Sequence, residues 1–140
     1  MIVVDTNVLA YLYLPGEHTA AAETLLQQDP DWLAPHLWRS EFRNVLAGFL
    51  RHDKLTVEQA LALQHEAENL MAGAEYPVQS ATVLNLVQKS DCSAYDCEFV
   101  ALAQVLNTSL VTMDRKVLRA FPDTAVPLPA APTAGQDASQ

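Results

Sequence analysis

The chain has 140 residues, half of them hydrophobic, with 8 Lys and Arg against 17 Asp and Glu and a formal net charge of −9. That length suits one domain with a real core, and the hydrophobic fraction excludes a largely disordered chain. The acidic balance weighs against nucleic acid as a partner, because phosphate contacts usually come from Lys and Arg.

Ile2-Val3-Val4 starts a strand over residues 2–5, followed by a short helix from about Thr6 and a turn at Pro15-Gly16. Residues 18–28 read as a helix ended by Asp29-Pro30, and Trp32-Leu33-Ala34 as a short strand stopped by Pro35. A long helix from about His36 to His52 comes next. Thr56-x-x-Gln59 is a capping-box signature that opens another helix to about Met71, closed by Gly73. Glu75 to Gln79 reads as a strand, which Pro77 confines to an edge or a strand end. Residues 80–90 and 94–107 are expected to be helical, Leu110 to Thr112 a strand, 115–120 a short helix and Thr124 to Pro127 an edge strand. From Pro129 the chain is rich in Pro, Ala, Thr and Ser, so residues 129–140 are expected to form a disordered tail.

Strands alternating with helices over residues 1–128 indicate a three-layer α/β/α domain, with a mainly parallel central sheet and helices on both faces. No apolar run is long enough to cross a bilayer, and Met1 leads straight into the first strand without room for a presequence. A cytoplasmic protein is expected. Cys92 and Cys97 are too few for a structural zinc site and read as free thiols in a reducing compartment.

Four acids stand out within this frame. Asp5 closes the first strand and Asp114 follows the run Leu110-Val111-Thr112-Met113, so both are expected at the carboxyl edge of the sheet, where open parallel sheets place ligands. Glu41 belongs to a helix with the apolar stripe Trp38, Phe42, Val45, Leu46 and Phe49. At about 100° per residue it falls on the flank of that stripe, with Arg39 and Arg43 nearly opposite. Asp96 lies in the first turn of a helix opened by Ser93 and shares a face with Phe99, Val100 and Ala103, whereas Glu98 points away and reads as solvated.

Each acid has a bland account taken singly. Asp5 and Asp114 could cap helices, Asp96 could complete a capping box, and Glu41 could reach water from the edge of a core face. All four together are hard to obtain from capping alone. Four converging carboxylates without Lys or Arg partners would repel one another, and a hard divalent cation such as Mg²⁺ or Mn²⁺ removes that repulsion. The basic residues cluster instead in Arg39, Arg43, Arg51, His52 and Lys54, and in Arg115, Lys116 and Arg119, which leaves room for a local basic patch.

Val4-Asp5-Thr6-Asn7, mid-helix Glu41, Ser93-Ala94-Tyr95-Asp96 and Thr112-Met113-Asp114 resemble the motifs of the PIN-domain ribonucleases, in particular the toxins of VapBC-type toxin–antitoxin pairs. The resemblance covers about residues 1–128. It implies a PIN-like fold and a Mg²⁺- or Mn²⁺-dependent endoribonuclease with Asp5, Glu41, Asp96 and Asp114 as catalytic, metal-binding acids. It also implies that Asn7, Ser93 and Thr112 orient those carboxylates by hydrogen bonding. The partners implied are an RNA substrate, a cognate antitoxin protein and a second copy in a homodimer, with no membrane. Two departures are Cys97, where the family usually has Ala, and Arg115-Lys116-Val117-Leu118, where a further acid often follows the last motif.

Rival readings fare less well. A haloacid-dehalogenase-type phosphatase needs a second Asp two residues after the first, and Asn7 stands there. A receiver domain needs an Asp after a middle strand, and none follows the Trp32 or Glu75 strands. The alternative from another class is a non-catalytic α/β binding module whose acids only cap helices. Ala20, Leu26, Leu61 and Leu63 exceed what one helical face requires and could serve a protein partner.

Overall fold

The structure, a computed structural model, describes residues 1–132. Most of the expected tail, residues 133–140, lies outside the described residues; 129–132 form no helix or strand.

Two apolar runs build the middle of the sheet. Ile2-Val3-Val4 forms β1 (Ile2–Val4) and Leu110-Val111 forms β4 (Leu110–Val111), and both are covered on either face, which suits strands without polar alternation. β2 (Trp32–Pro35), β3 (Glu75–Tyr76) and β5 (Ala125–Val126) complete a five-stranded sheet in the order β3-β2-β1-β4-β5. Every pairing is parallel, with Val3 opposite Leu33 on one side and Leu110 on the other. β2 continues one residue past the expected stop, since Pro35 pairs with Tyr76 as the last strand residue, where a missing N–H costs little. β3 is shorter than expected. It ends before Pro77, and both it and β5 are edge strands.

Seven helices connect the strands: α1 (Thr6–Tyr13), α2 (Thr19–Gln28), α3 (Trp38–Arg51), α4 (Val57–Leu70), α5 (Ser80–Gln88), α6 (Ala94–Val105) and α7 (Arg115–Ala120). The path runs outward from β1 to β3, then jumps back across β1 to β4. Parallel crossovers are right-handed, so that reversal places α1 to α4 on one face and α5 to α7 on the other. The packing agrees: α1 touches α2, α3 and α4, while α6 lies against α5, β1, β2 and β4. The three-layer architecture expected from the sequence is the one observed.

Local signals account for the helix ends. Thr56 and Gln59 form the reciprocal capping box, and Gly73 turns the chain after α4 with a φ of 79° that suits glycine. α3 buries Trp38, Phe42 and Leu46, with the Trp38 and Phe42 rings edge to face at 5.9 Å. Among the described residues no helix is long and apolar enough to cross a membrane.

Candidate active site

The chain reverses direction across the sheet between β1 and β4, and such switch points leave a crevice at the carboxyl ends of the strands. Asp5 follows β1 and Asp114 is two residues beyond Thr112, which follows β4. Glu41 comes in from the first turn of α3 and Asp96 from that of α6. All four line one open cleft of about 410 Å³, together with Thr6, Asn7, Leu37, Ser40, Asn44, Val45 and Tyr95. Four different elements thus deliver one acid each to the same place.

Capping explains only one of them. Asp114 Oδ1 accepts the Lys116 and Val117 amides at 2.8 and 3.2 Å and so caps α7. Asp5 precedes α1 without a full capping bond from its side chain, although the Asn7 and Thr6 amides face its carboxylate and favour its charged form. At α6 the cap is Ser93, whose Oγ accepts the Asp96 amide at 3.1 Å and leaves the Asp96 carboxylate out of the cap. Glu41 lies inside a helix turn and caps nothing.

Two threonines hold two of the acids. Thr112 Oγ1 donates to Asp5 Oδ2 at 2.8 Å and accepts the Asp114 amide at 3.1 Å, so one hydroxyl fixes both strand-end acids. Thr112 itself is 1% exposed, while Asp5 is half-buried, so the bond sits at the floor of the cleft. Thr6 Oγ1 donates to Glu41 Oε1 at 2.8 Å. Sequence reasoning missed Thr6, and the only hint was a β-branched residue at the first position of a helix. Of the expected orienting residues, Thr112 bonds a carboxylate, Ser93 acts through the backbone amide of Asp96, and exposed Asn7 lines the cleft without a side-chain hydrogen bond among the described residues.

Burial first, and like charge second, set the electrostatics of the cleft. Burial pushes the Asp5 carboxyl above its ordinary value; the Thr112 bond opposes this and the Asp96 charge adds to it. Burial likewise raises Glu41, against the Thr6 bond, with Asp5 and Asp96 contributing repulsion. Among the described residues no Lys, Arg or His forms an ion pair with any of the four. Arg39 is engaged elsewhere, on Glu75 and Glu68, which removes it from any basic patch available to a ligand. Glu98, read as solvated, is half-buried in a neighbouring hollow with His36, Tyr76 and Pro77, and burial raises its pKa too.

The donor chemistry fits a hard cation. Glu41, Asp96 and Asp114 each keep at least one carboxylate oxygen without a hydrogen-bond or ion-pair partner among the described residues, and Asp5 Oδ1 has only the nearby Asn7 and Thr6 amides. The oxygens do not yet close on a point: no three Asp, Glu, His or Cys side chains among the described residues are grouped tightly enough to enclose an ion. Uncompensated carboxylates spread apart, and closing the group requires their side chains to turn inward around a positive charge.

Residues 2–123 match the PIN domain family. The chain belongs to the PIN-domain family. Its relatives include ribonuclease VapC3 of Pyrobaculum aerophilum, 27% identical over 90% of this chain and 98% of that one. Ribonuclease VapC9 of Mycobacterium tuberculosis is 35% identical over 84% of this chain and 88% of its own length. Among solved structures, FitAcB from Neisseria gonorrhoeae superposes with a TM-score of 0.71 at 19% identity, covering 89% of this chain and 96% of that one. A toxin–antitoxin complex from Klebsiella pneumoniae gives 0.65 at 16% identity, covering 90% and 96%. These structural likenesses carry the fold, and the PIN fold is what places the four acids at the switch point.

Proposed function

We propose that this protein is the endoribonuclease toxin of a toxin–antitoxin pair, hydrolysing RNA phosphodiester bonds at the cleft between α3 and α6 with Mg²⁺ or Mn²⁺. The observation that carries the proposal is four acids from four elements lining one cleft with no Lys, Arg or His paired to them among the described residues. The PIN-family match and the VapC ribonuclease relatives support the same activity.

Asp5, Glu41, Asp96 and Asp114 would hold the ion. When bound, such an ion lowers the pKa of a water, orients the phosphate and offsets charge in the transition state. Thr112 engages Asp5 Oδ2 and so fixes the direction in which the carboxylate faces the cleft. Thr6 does the same for Glu41 through Oε1. Asp114 divides its oxygens between the α7 amides and the cleft. Burying both threonine hydroxyls fixes these orientations before substrate arrives, which is the preorganisation that such a site needs.

An antitoxin partner is supported by the toxin–antitoxin character of the Klebsiella structure. Ala20 and Leu61 are exposed and available to it, whereas Leu26 and Leu63 are half-buried against the core. We include a homodimer and a cytoplasmic location in the proposal. The test is direct. Purified protein should cut RNA with Mg²⁺ or Mn²⁺ and stop on EDTA, and expression without antitoxin should arrest growth. Calorimetry that detects no binding of either ion at millimolar concentration would remove the metal from the proposal. An inert protein over a broad panel of RNAs would remove the ribonuclease.

A further inference from the structure

Tyr95 is 62% exposed, yet it lines the acid-bearing cleft next to Asp96. Its ring packs against no other aromatic among the described residues. A single exposed tyrosine is ordinary; the company this one keeps is not. Ser40 and Asn44 from α3 and Asn7 from α1 line the same cleft. All three are exposed, and their side chains make no hydrogen bond to other described residues. An aromatic face, three uncommitted polar side chains and four acids that would hold an ion are what a nucleotide needs: a platform for the base, partners for its edge, and a place for its phosphate.

We infer that Tyr95 stacks the nucleobase beside the cleaved phosphate, with Asn44 and Ser40 facing its polar edge. The inference rests on the ribonuclease proposal above and adds the residue that grips the substrate's base. Stacking requires a base that has left its own duplex, since a paired base presents its faces to its neighbours. It also resolves the charge of the protein. Phosphate contacts draw on the few Lys and Arg of a chain with a net charge of −9, whereas stacking gains affinity without any positive charge.

The test compares two fluorescein-labelled strands of equal length, a random-sequence single-stranded RNA and an abasic ribose-phosphate chain with the same number of phosphates. Anisotropy at low salt in EDTA prevents cleavage and reads binding alone. Wild type should prefer the base-bearing strand by roughly tenfold, in the range measured for one aromatic stack. Tyr95→Phe should keep that preference, and Tyr95→Ala should abolish it without lowering the melting temperature. Equal binding of the two strands by wild type, or a preference that survives in Tyr95→Ala, overturns the inference while leaving metal-dependent cleavage untouched. If Tyr95→Ala instead weakens only the capture of a co-expressed protein partner, the ring belongs to a protein interface and the inference is wrong. If neither strand binds and no RNA is cut, this inference and the ribonuclease proposal fall together.

Discussion

Helix α3 carries charge of two opposite kinds. Arg39 reaches Glu75 in a two-pronged contact of 2.6 and 2.7 Å, with Glu68 at 3.3 Å and the Trp38 indole N–H also donating to Glu75. The Arg39 and Trp38 bonds hold Glu75 below its ordinary carboxylate value. Two residues along, Glu41 enters the cleft with Asp5 and Asp96, and its pKa moves the other way. Both groups are partly buried carboxylates. One has had its charges paired to tie α3 to α4 and β3; the other has been left short of positive charge. A fold that only needed stability would pair both, so the unpaired group marks the place where a charge from outside is taken.

The sharpest way to break this contrast is Asp5→Asn, which removes one negative charge at nearly constant shape. It should cut RNA cleavage by more than about 100-fold and weaken Mn²⁺ binding, because a neutral amide is a poor ligand and the cation loses attraction. The metal-free protein should be at least as stable as wild type, since a repelling charge is gone. Single-turnover cleavage and calorimetry, beside a melting curve in EDTA, check all three. An Asp5→Asn protein that stays as active as wild type would end the catalytic assignment. Thr112→Val comes next. It deletes the hydroxyl that holds Asp5 and the Asp114 amide, and should lower activity or metal affinity by roughly 10- to 100-fold with the fold retained. Full activity in that variant would reduce Thr112 to an ordinary buried strand-end residue.

Much of this was legible in the sequence because it is local. Apolar runs without alternation gave buried parallel strands, the Thr56–Gln59 box and Gly73 framed α4, and helical spacing put Glu41 beside its stripe and Asp96 on the face of Val100 and Ala103. What escaped is long-range. Thr6 and Glu41 are 35 residues apart, and Arg39 and Glu75 are 36, so neither partnership leaves a mark within one element. Glu98 differs from the solvated reading for the same reason: its own helix turns it away from the core stripe, but it is half-buried in a hollow that Tyr76, Pro77 and Val78 from the end of the sheet also line. Ser93, which the family resemblance implies as an orienting residue, caps α6 through the Asp96 amide, a contact made by its Oγ with the backbone.

Breaking the paired side of α3 should give a different signature. Glu75→Gln keeps an acceptor for Trp38 but takes away the charge facing Arg39. Arg39 is 38% exposed while Glu75 is 10%, so solvent screens part of the pair, and a loss of about 1–2 kcal/mol is expected. Urea unfolding at neutral pH measures it. Metal binding and cleavage should stay at wild-type level, because Glu75 lies outside the acid cleft. A Glu75→Gln protein that lost metal affinity along with stability would show that the two charge groups are coupled through α3, and the contrast drawn above would fail.

The smallest effect is the most diagnostic, because the two groups must respond to pH with opposite sign. Glu75 ionises more readily in the folded protein than its ordinary 4.5, so the unfolded chain holds more protons between the two values. The stability contributed by its pair is therefore present above about 4.5 and is lost as pH falls through the lower folded value. Asp5 and Glu41 are shifted upward from 3.8 and 4.5, so here the folded, metal-free protein holds the protons. Their contribution is fully present below those ordinary values and is lost as pH rises through the raised folded ones. In EDTA, wild-type melting temperature should thus decline on both sides of an acidic maximum. Asp5→Asn should flatten the decline on the alkaline side and Glu75→Gln the decline on the acid side. Saturating Mn²⁺ should also cancel the alkaline decline, since the ion replaces the proton as the compensating charge. An Asp5→Asn protein whose alkaline limb matches wild type would mean that neither burial nor the Asp96 charge holds a proton on Asp5 in the folded protein, and the contrast with Glu75 would fail.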